Sequence, residues 1–552
     1  MKAIKTLLVL TFVAWFGVAC DSESPQSDSG PAPDTTSAPD AAKNVGPLAN
    51  VFLRSPTEDN NKTTQVTLKH LTDKDGLLTG KYANVYNCTN KTGGDKFNVN
   101  LGALQLSGTL CVVEKTVKPG DDGSYLHVEP AKATDGSDAF AELMMYHHVT
   151  TIHDYFKDTL GVTHRDDSLR SVVNIQAYID LLGRWMGFLN AAYVPKEQGT
   201  FLSSFGIDIN KGEDAIIFFQ ADNVDTAYDA TVIYHEYTHA VTSALVTGTA
   251  PDAYGLDPTP IGFNEGMADY FAASFLDTSR IGKHALGALG RDLANQNKCP
   301  ADIIGESHQD GLIAGGALWE VRSKLGREIV DQAVLSAAVA FSNDTTFEQA
   351  AKAIVDEIKS LAPGKEVDAQ KIFEDRGLLG CNRLQDYKEI VAAPGQLSPF
   401  IPSAQQLAPQ VSPLFITGST IAIPGFMQRR VAIAETTKEI TIEWAASAGG
   451  GAFGPLGGPA GDVTLSVALK KGSDAITYDY ASGKAVSDAH VVLPGVKDGN
   501  SYKVVISGAC VAKGDLVFQL INTGQAGGQL ARLKVTQSDT VTNTASNFDS
   551  CQ

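Results

Sequence analysis

At 552 residues the chain is too long for one ordinary domain, and at about 150 residues per domain it suggests three or four. Its 43% hydrophobic, 8% aromatic and 19% charged residues are a globular composition able to bury cores, which excludes a disordered or coiled-coil chain. A net charge of −19 repels nucleic acid and anionic lipid surfaces, so no nucleic-acid partner is expected.

The chain opens with Lys2 and Lys5, an apolar run from Leu7 to Val18, and then Ala19-Cys20, the layout of a signal peptide over residues 1–20. The small residues before Cys20 resemble a bacterial lipobox, which implies lipidation at Cys20 and an extracytoplasmic protein anchored to a bacterial membrane; inner and outer membrane remain alternatives. After this segment no apolar run is long enough to span a bilayer. Residues 21–50 are rich in Ser, Pro, Asp and Ala and read as a disordered tether spanning about 30 Å. Cysteine usage supports an oxidising compartment, and with Cys20 set aside the remaining cysteines pair most simply as neighbours: Cys88 with Cys111, Cys299 with Cys381, and Cys510 with Cys551. None has the Cys-x-x-Cys spacing of a zinc or redox site.

Residues 51–132 hold short alternating or β-branched runs between Gly, Asp and Asn clusters, and predict a small N-terminal β domain. From Ala139 the periodicity becomes helical, through AFAELMMYHHVTTIHDYFKDTL and SLRSVVNIQAYIDLLGRW. Strands are expected at Asn190–Val194 and Ala215–Phe219, and helices to about residue 376. Two capping boxes are expected, Thr226 with Asp229 and Thr345 with Glu348. This span, residues 133–392, is an α+β domain. A Pro-rich linker follows at 393–413, and residues 414–552 read as a C-terminal β-sandwich with Gly-rich turns such as Gly449–Gly451.

The chemistry is concentrated in His235-Glu236-Tyr237-Thr238-His239. Residues four apart share a helical face, so both imidazoles can bind one metal ion with Glu236 beside the open coordination position. In Asn264-Glu265-Gly266-Met267-Ala268-Asp269, Glu265 supplies a third ligand, and Asp269 can orient a ligating histidine through its free ring nitrogen. His147, His148 and His153 lack the paired-ligand spacing and read as packed or surface residues.

These motifs resemble the gluzincin metallopeptidases of the thermolysin and fungalysin families, and the long interval before Glu265 is closer to the fungalysin type. Ser307-His308-Gln309-Asp310-Gly311 leading to Leu318-Trp319-Glu320 is similar to a third fungalysin segment. The resemblance covers about residues 139–392. It implies a thermolysin-like zincin domain, a Zn2+ cofactor and protein or peptide substrates. It also implies roles: His235, His239 and Glu265 as zinc ligands, Glu236 as catalytic acid/base and His308 as the oxyanion donor. Asn190 and Ala191 resemble the edge strand that holds substrate backbone, although Ala192 stands where an aromatic is usual. Tyr254 lies where a second oxyanion donor occurs, in a surrounding sequence that departs from the pattern. Residues 51–132 occupy the position of the fungalysin pro-region, which implies activation by cleavage near residue 130.

A zinc endopeptidase is therefore expected. A gluzincin aminopeptidase would carry Gly-x-Met-Glu-Asn, which is absent; a surface-binding lipoprotein using the peptidase scaffold is the alternative from another class. Calcium suits an acidic extracellular peptidase, but no Asp-x-Asp-x-Asp loop supports it, and the sequence leaves the oligomeric state open.

Overall fold

A computed structural model of the chain describes residues 46–101, 104–132, 135–187, 189–196, 208–221, 224–242, 250–342, 344–393, 396–402, 423–448, 463–479, 486–498, 501–524, 526–542, 546–548 and 551. The signal peptide with Cys20, nearly all of the tether and Gly449–Gly451 lie outside the described residues. Among the described residues no helix is long and apolar enough to cross a membrane.

The first strands, β1 (Leu48–Val51) and β2 (Thr64–Thr67), pair antiparallel. They precede β3 (Ala83–Thr89), β4 (Lys96–Leu101), β5 (Leu104–Leu110) and β6 (Val112–Glu114). Helix α1 (Phe140–Asp154) follows, then β7 (Leu169–Ile179), β8 (Arg184–Gly187), β9 (Ala191–Val194), β10 (Ala215–Ala221) and β11 (Val224–Asp225). From β3 to β11 these strands form one 9-stranded sheet with the central order β11-β10-β7-β3-β6. Strand β7 runs parallel to both β3 and β10, while β5 and β8 pair antiparallel with its C-terminal end and β9 pairs antiparallel with β10.

This topology corrects the separate N-terminal domain and its boundary at residue 132. Ala83–Asn87 stand in register with Leu169–Val173, so residues N-terminal to the expected boundary form the middle of the sheet. Leu169–Ile179 also corrects a helix to a strand. Nearly every residue of β7 is buried, and a strand covered on both faces has no polar alternation to distinguish it from a helix. Asn174 takes a left-handed φ of 59° where β7 leaves β3 and turns to β8 and β5.

Helix α1 packs against β3 and β7. Its Glu142 is buried and accepts hydrogen bonds from the Thr116 and Val117 backbone and the Thr116 hydroxyl. Burial outweighs these bonds and pushes its pKa from the ordinary 4.5 up to about 7. The folded protein therefore holds this proton more tightly than the unfolded chain does. The resulting stability is fully present below about pH 4.5 and is lost as pH rises through 7, a change on the order of 3 kcal/mol. Glu142→Gln is expected to flatten that fall and to stabilise the protein above pH 7; urea unfolding of both proteins at pH 5 and pH 8 measures it.

Beyond the sheet come α2 (Ala230–Thr242), the hairpin of β12 (Ala250–Asp252) and β13 (Gly255–Asp257), α3 (Thr259–Leu276), and the pair β14 (Arg280–Ile281) and β15 (Arg291–Asp292). Helices α4 (Ser307–Leu325), α5 (Arg327–Ala338), α6 (Phe347–Leu361) and α7 (Glu366–Asp375) complete the domain. The later capping box lies one residue beyond its expected place: Thr346 and Gln349 bond reciprocally at the start of α6. The earlier box is not formed. Asp225 caps a 3-10 turn at Thr226–Tyr228, while Asp229 accepts from Thr231 N at the entry to α2.

The C-terminal sandwich has a 6-stranded and a 7-stranded sheet around a core that includes Ile440, Ile442, Trp444, Leu465 and Leu533. It starts well before residue 414. Leu384–Asp386 pairs with Gln428–Arg430, and both Ile390–Val391 and Phe400–Ile401 pair with the strand Gly528–Ser538. The expected linker at 393–413 is thus entered by a sandwich strand, and most of its remainder lies outside the described residues. The three disulfides join neighbours, Cys88–Cys111, Cys299–Cys381 and Cys510–Cys551.

Candidate metal centre and active site

Helix α2 enters the core between α1 and α3, and nearly all of its residues are buried. Its start is fixed from the N-terminal segment, where the Arg54 carbonyl accepts the Ala230 N–H at 2.8 Å. His148 of α1 bonds both the Tyr234 hydroxyl, at 2.7 Å, and the Phe52 carbonyl, at 2.9 Å, so this histidine is a packing residue as expected.

His235 and His239 fall on one face of α2, with their Nε2 atoms 3.1 Å apart. Glu265 of α3 places Oε2 3.1 Å from His235 Nε2 and 3.4 Å from His239 Nε2. That carboxylate oxygen is buried and receives no hydrogen bond. Ligand atoms of all three residues lie within 4.8 Å of one another, a two-imidazole, one-carboxylate donor set that fits a tetrahedral metal with one position left over. Burial alone would drive the proton off His235, but Asp269, Glu265 and Glu236 more than offset this and push its pKa up to about 10. A metal ion entering here displaces that proton.

Asp269 lies one turn after Glu265 and accepts from His235 Nδ1 at 2.7 Å. Arg291 of β15 clamps the same carboxylate through two bonds of 2.6 and 2.7 Å. Burial would raise the Asp269 pKa, yet Arg291 and His235 hold it well below the usual carboxylate range. Asp269 is therefore ionised and fixes the His235 ring with Nε2 directed inward. Asp269→Asn is expected to weaken metal binding about 10- to 100-fold, read by chelator competition. It should also lower unfolding free energy by about 3–5 kcal/mol, because Arg291 stays buried without its counter-charge.

His308 stands at the start of α4 with Nε2 3.3 Å from Glu265 Oε2 and Nδ1 3.1 Å from Glu306 Oε1. Partial burial opposes its charge, but Glu265 and Glu306 raise its pKa above the ordinary value. Glu306 also caps α4 by accepting the Gln309 N–H at 2.9 Å. Asp310 turns back to accept the N–H groups of Ile304 and Gly305 at 2.8 and 2.9 Å. Helices α3 and α4 approach at glycines: a Cβ on Gly266 would lie 2.4 Å from the Gly311 carbonyl oxygen. This close crossing brings Glu265 and His308 together.

Strand β9 packs beside α2 and pairs with β10, Ala191 opposite Phe218. Asn190 spends its carbonyl internally, accepting from Phe219 N and the Thr226 hydroxyl. Tyr254 lies between β12 and β13. It occupies the turn of the β12–β13 hairpin, its ring faces the Arg383 guanidinium at 5.8 Å, and its carbonyl accepts from Gln428 at 3.3 Å.

Residues 122–297 match the fungalysin metallopeptidase (M36) family. The matched stretch contains α2 and Glu265, so the similarity covers the helix that carries both histidines and the carboxylate that meets them. No curated protein matches the chain. Among solved structures, similarity is found to a family GH115 4-O-methyl-alpha-glucuronidase with specificity for decorated arabinogalactans. It has 11% identity, covers 54% of this chain and 35% of that enzyme, and has a TM-score of 0.14. The chain spans about a third of that enzyme's length, and so weak a superposition carries no argument.

Three residues of the fungalysin-like site were not found from sequence. Arg291 lies in a two-residue strand with no pattern of its own, and only the folded contact to Asp269 identifies it. Glu306 and Asp310 had a local signal, since acidic residues around the first turn of a helix suit its N-terminal dipole. That signal did not say that Glu306 would also hold His308.

Proposed function

We propose that the chain is a zinc-dependent endopeptidase that cleaves proteins or peptides outside the cytoplasm while tethered to a bacterial membrane through Cys20. The observation that carries this reading is the convergence of His235, His239 and Glu265 around one buried carboxylate oxygen without a hydrogen bond. Zinc bound there would supply an acidified water and polarise the scissile carbonyl.

The chain's own groups do the rest. Glu236 accepts the water's proton on its carboxylate and returns it to the leaving amine. His308, aligned at Nδ1 by Glu306, donates from Nε2 to the oxygen that becomes negative, a contribution of about 2.7–4 kcal/mol for donors of this kind. Asp269 keeps His235 in the ligating tautomer. The β9 edge around Ala191 holds the substrate backbone extended beside α2.

The test is metal content together with hydrolysis of an unstructured protein substrate by the chain without residues 1–20. About one zinc per chain, with activity lost to a chelator and restored by zinc, supports the reading. A chain saturated with zinc that cleaves no substrate would instead favour a binding scaffold. Radiolabelled fatty acid incorporated in cells by the wild type and not by Cys20→Ala tests the anchor.

A further inference from the structure

We propose that the C-terminal sandwich is a positioning element of the active site, with Phe426 and Phe400 holding the loop that aims His308. This deepens the peptidase reading and rests on His308 acting as the oxyanion donor. Phe400, Phe426 and Met427 belong by chain position to the sandwich, yet they are buried in the core of the fungalysin-like domain and not between the sandwich sheets.

Their contacts converge on the residues just before α4. The Phe400 N–H donates to the Ile304 carbonyl at 2.8 Å. Gly305 has a left-handed φ of 81°, and a Cβ there would lie 2.2 Å from Phe426 Cδ2, so the ring presses directly on the glycine backbone. On the opposite side Asp310 binds the Ile304 and Gly305 N–H groups. The two-residue segment is thus gripped between the sandwich and Asp310. It runs straight into Glu306, whose carboxylate caps α4 and meets His308 Nδ1.

The sandwich also grips the hairpin between α2 and α3. Tyr478 N donates to the Ala253 carbonyl at 2.8 Å, and Gln428 donates to that of Tyr254. Pro424 lies 3.1 Å from where a Gly255 Cβ would stand. The connection between the two ligand-bearing helices and the connection into α4 are therefore both held by residues of the sandwich. Misplacing a reacting group by about 1 Å costs on the order of 100-fold in rate, so such a seat has catalytic weight.

The experiment measures kcat and KM on an unstructured peptide for the zinc-loaded full chain. The proteins are wild type, Phe426→Ala, Phe426→Leu, His308→Asn and both double variants, each with its metal content and unfolding curve. Phe426→Ala is expected to keep zinc and KM while losing at least about tenfold in kcat, and Phe426→Leu to recover most of it. In the His308→Asn background Phe426→Ala should change kcat by less than about twofold, because the group it aims is gone.

An unimpaired kcat for folded Phe426→Ala, or an equal loss in both backgrounds, overturns the proposal. If Phe426→Ala does not fold, Phe426→Leu carries the same two-background comparison with an expected loss of about threefold. An inactive zinc-loaded wild type, or His308→Asn with full activity, would mean that the peptidase reading itself has failed, and this proposal with it.

Discussion

Glu236→Gln is expected to bind zinc like the wild type and to hydrolyse peptide about 100- to 10,000-fold more slowly, with KM little changed. Glu236 lies on the buried stretch of α2 between the two histidines, but it is not in the set that converges on the metal position. A glutamine of the same shape preserves the helix and its packing. It cannot take a proton from water at neutral pH, so the whole loss should fall on kcat. Steady-state kinetics at equal zinc occupancy provide the check, and activity near that of the wild type would remove Glu236 from the mechanism.

A chain beginning at residue 133 is expected not to fold. The position of residues 51–132 implies a removable pro-region, whereas β3, β4, β5 and β6 of the sheet lie within them. Strand β3 lies between β6 and β7, and the Arg54 carbonyl anchors the start of α2. The segment also contributes Val51, Phe52, Leu68, Leu78, Val85 and Val117 to the main core, all almost fully buried. At roughly 1.5–3 kcal/mol for each such side chain, their removal costs on the order of 10 kcal/mol. That is comparable with the whole stability of an ordinary domain. Circular dichroism and zinc uptake of the truncated chain should show neither native structure nor a formed site. A cut near residue 130 in the intact protein should leave the two parts associated and active; release of an active fragment starting there would contradict this account.

The convergence of His235, His239 and Glu265 is legible because its pattern is written locally. His235 and His239 are one helical turn apart, and Glu265 and Asp269 likewise, so each pair's common face follows from helix geometry alone. The disulfides were legible because each cysteine's partner is its neighbour in the chain. What was misread depends on distant pairing. Nothing within residues 51–132 announces that β3 will lie beside β7, and β7 conceals its own nature because both of its faces are covered. Phe400 and Phe426 read as linker and sandwich residues from position, and only the folded contact assigns them to the other domain's core. The hairpin that carries Tyr254 is likewise held by Gln428 and Arg383, residues remote in sequence.

The arrangement of the sandwich strands bears on how the protein would survive digestion, including by its own copies. Phe400–Ile401 pairs with Gly528–Ser538, and Ile423–Pro424, further along the chain, pairs with Gly514–Asn522. Scission between them would sever the chain inside a domain and not between domains. The pieces would separate on a denaturing gel and travel as one particle on a native column. A cut further back, between Pro300 and Gly380, would meet the Cys299–Cys381 bridge, which keeps the halves covalently joined until a reductant is added. No single cleavage at either place sheds the C-terminal part, so a nicked population would retain its shape long after its length on a gel had changed.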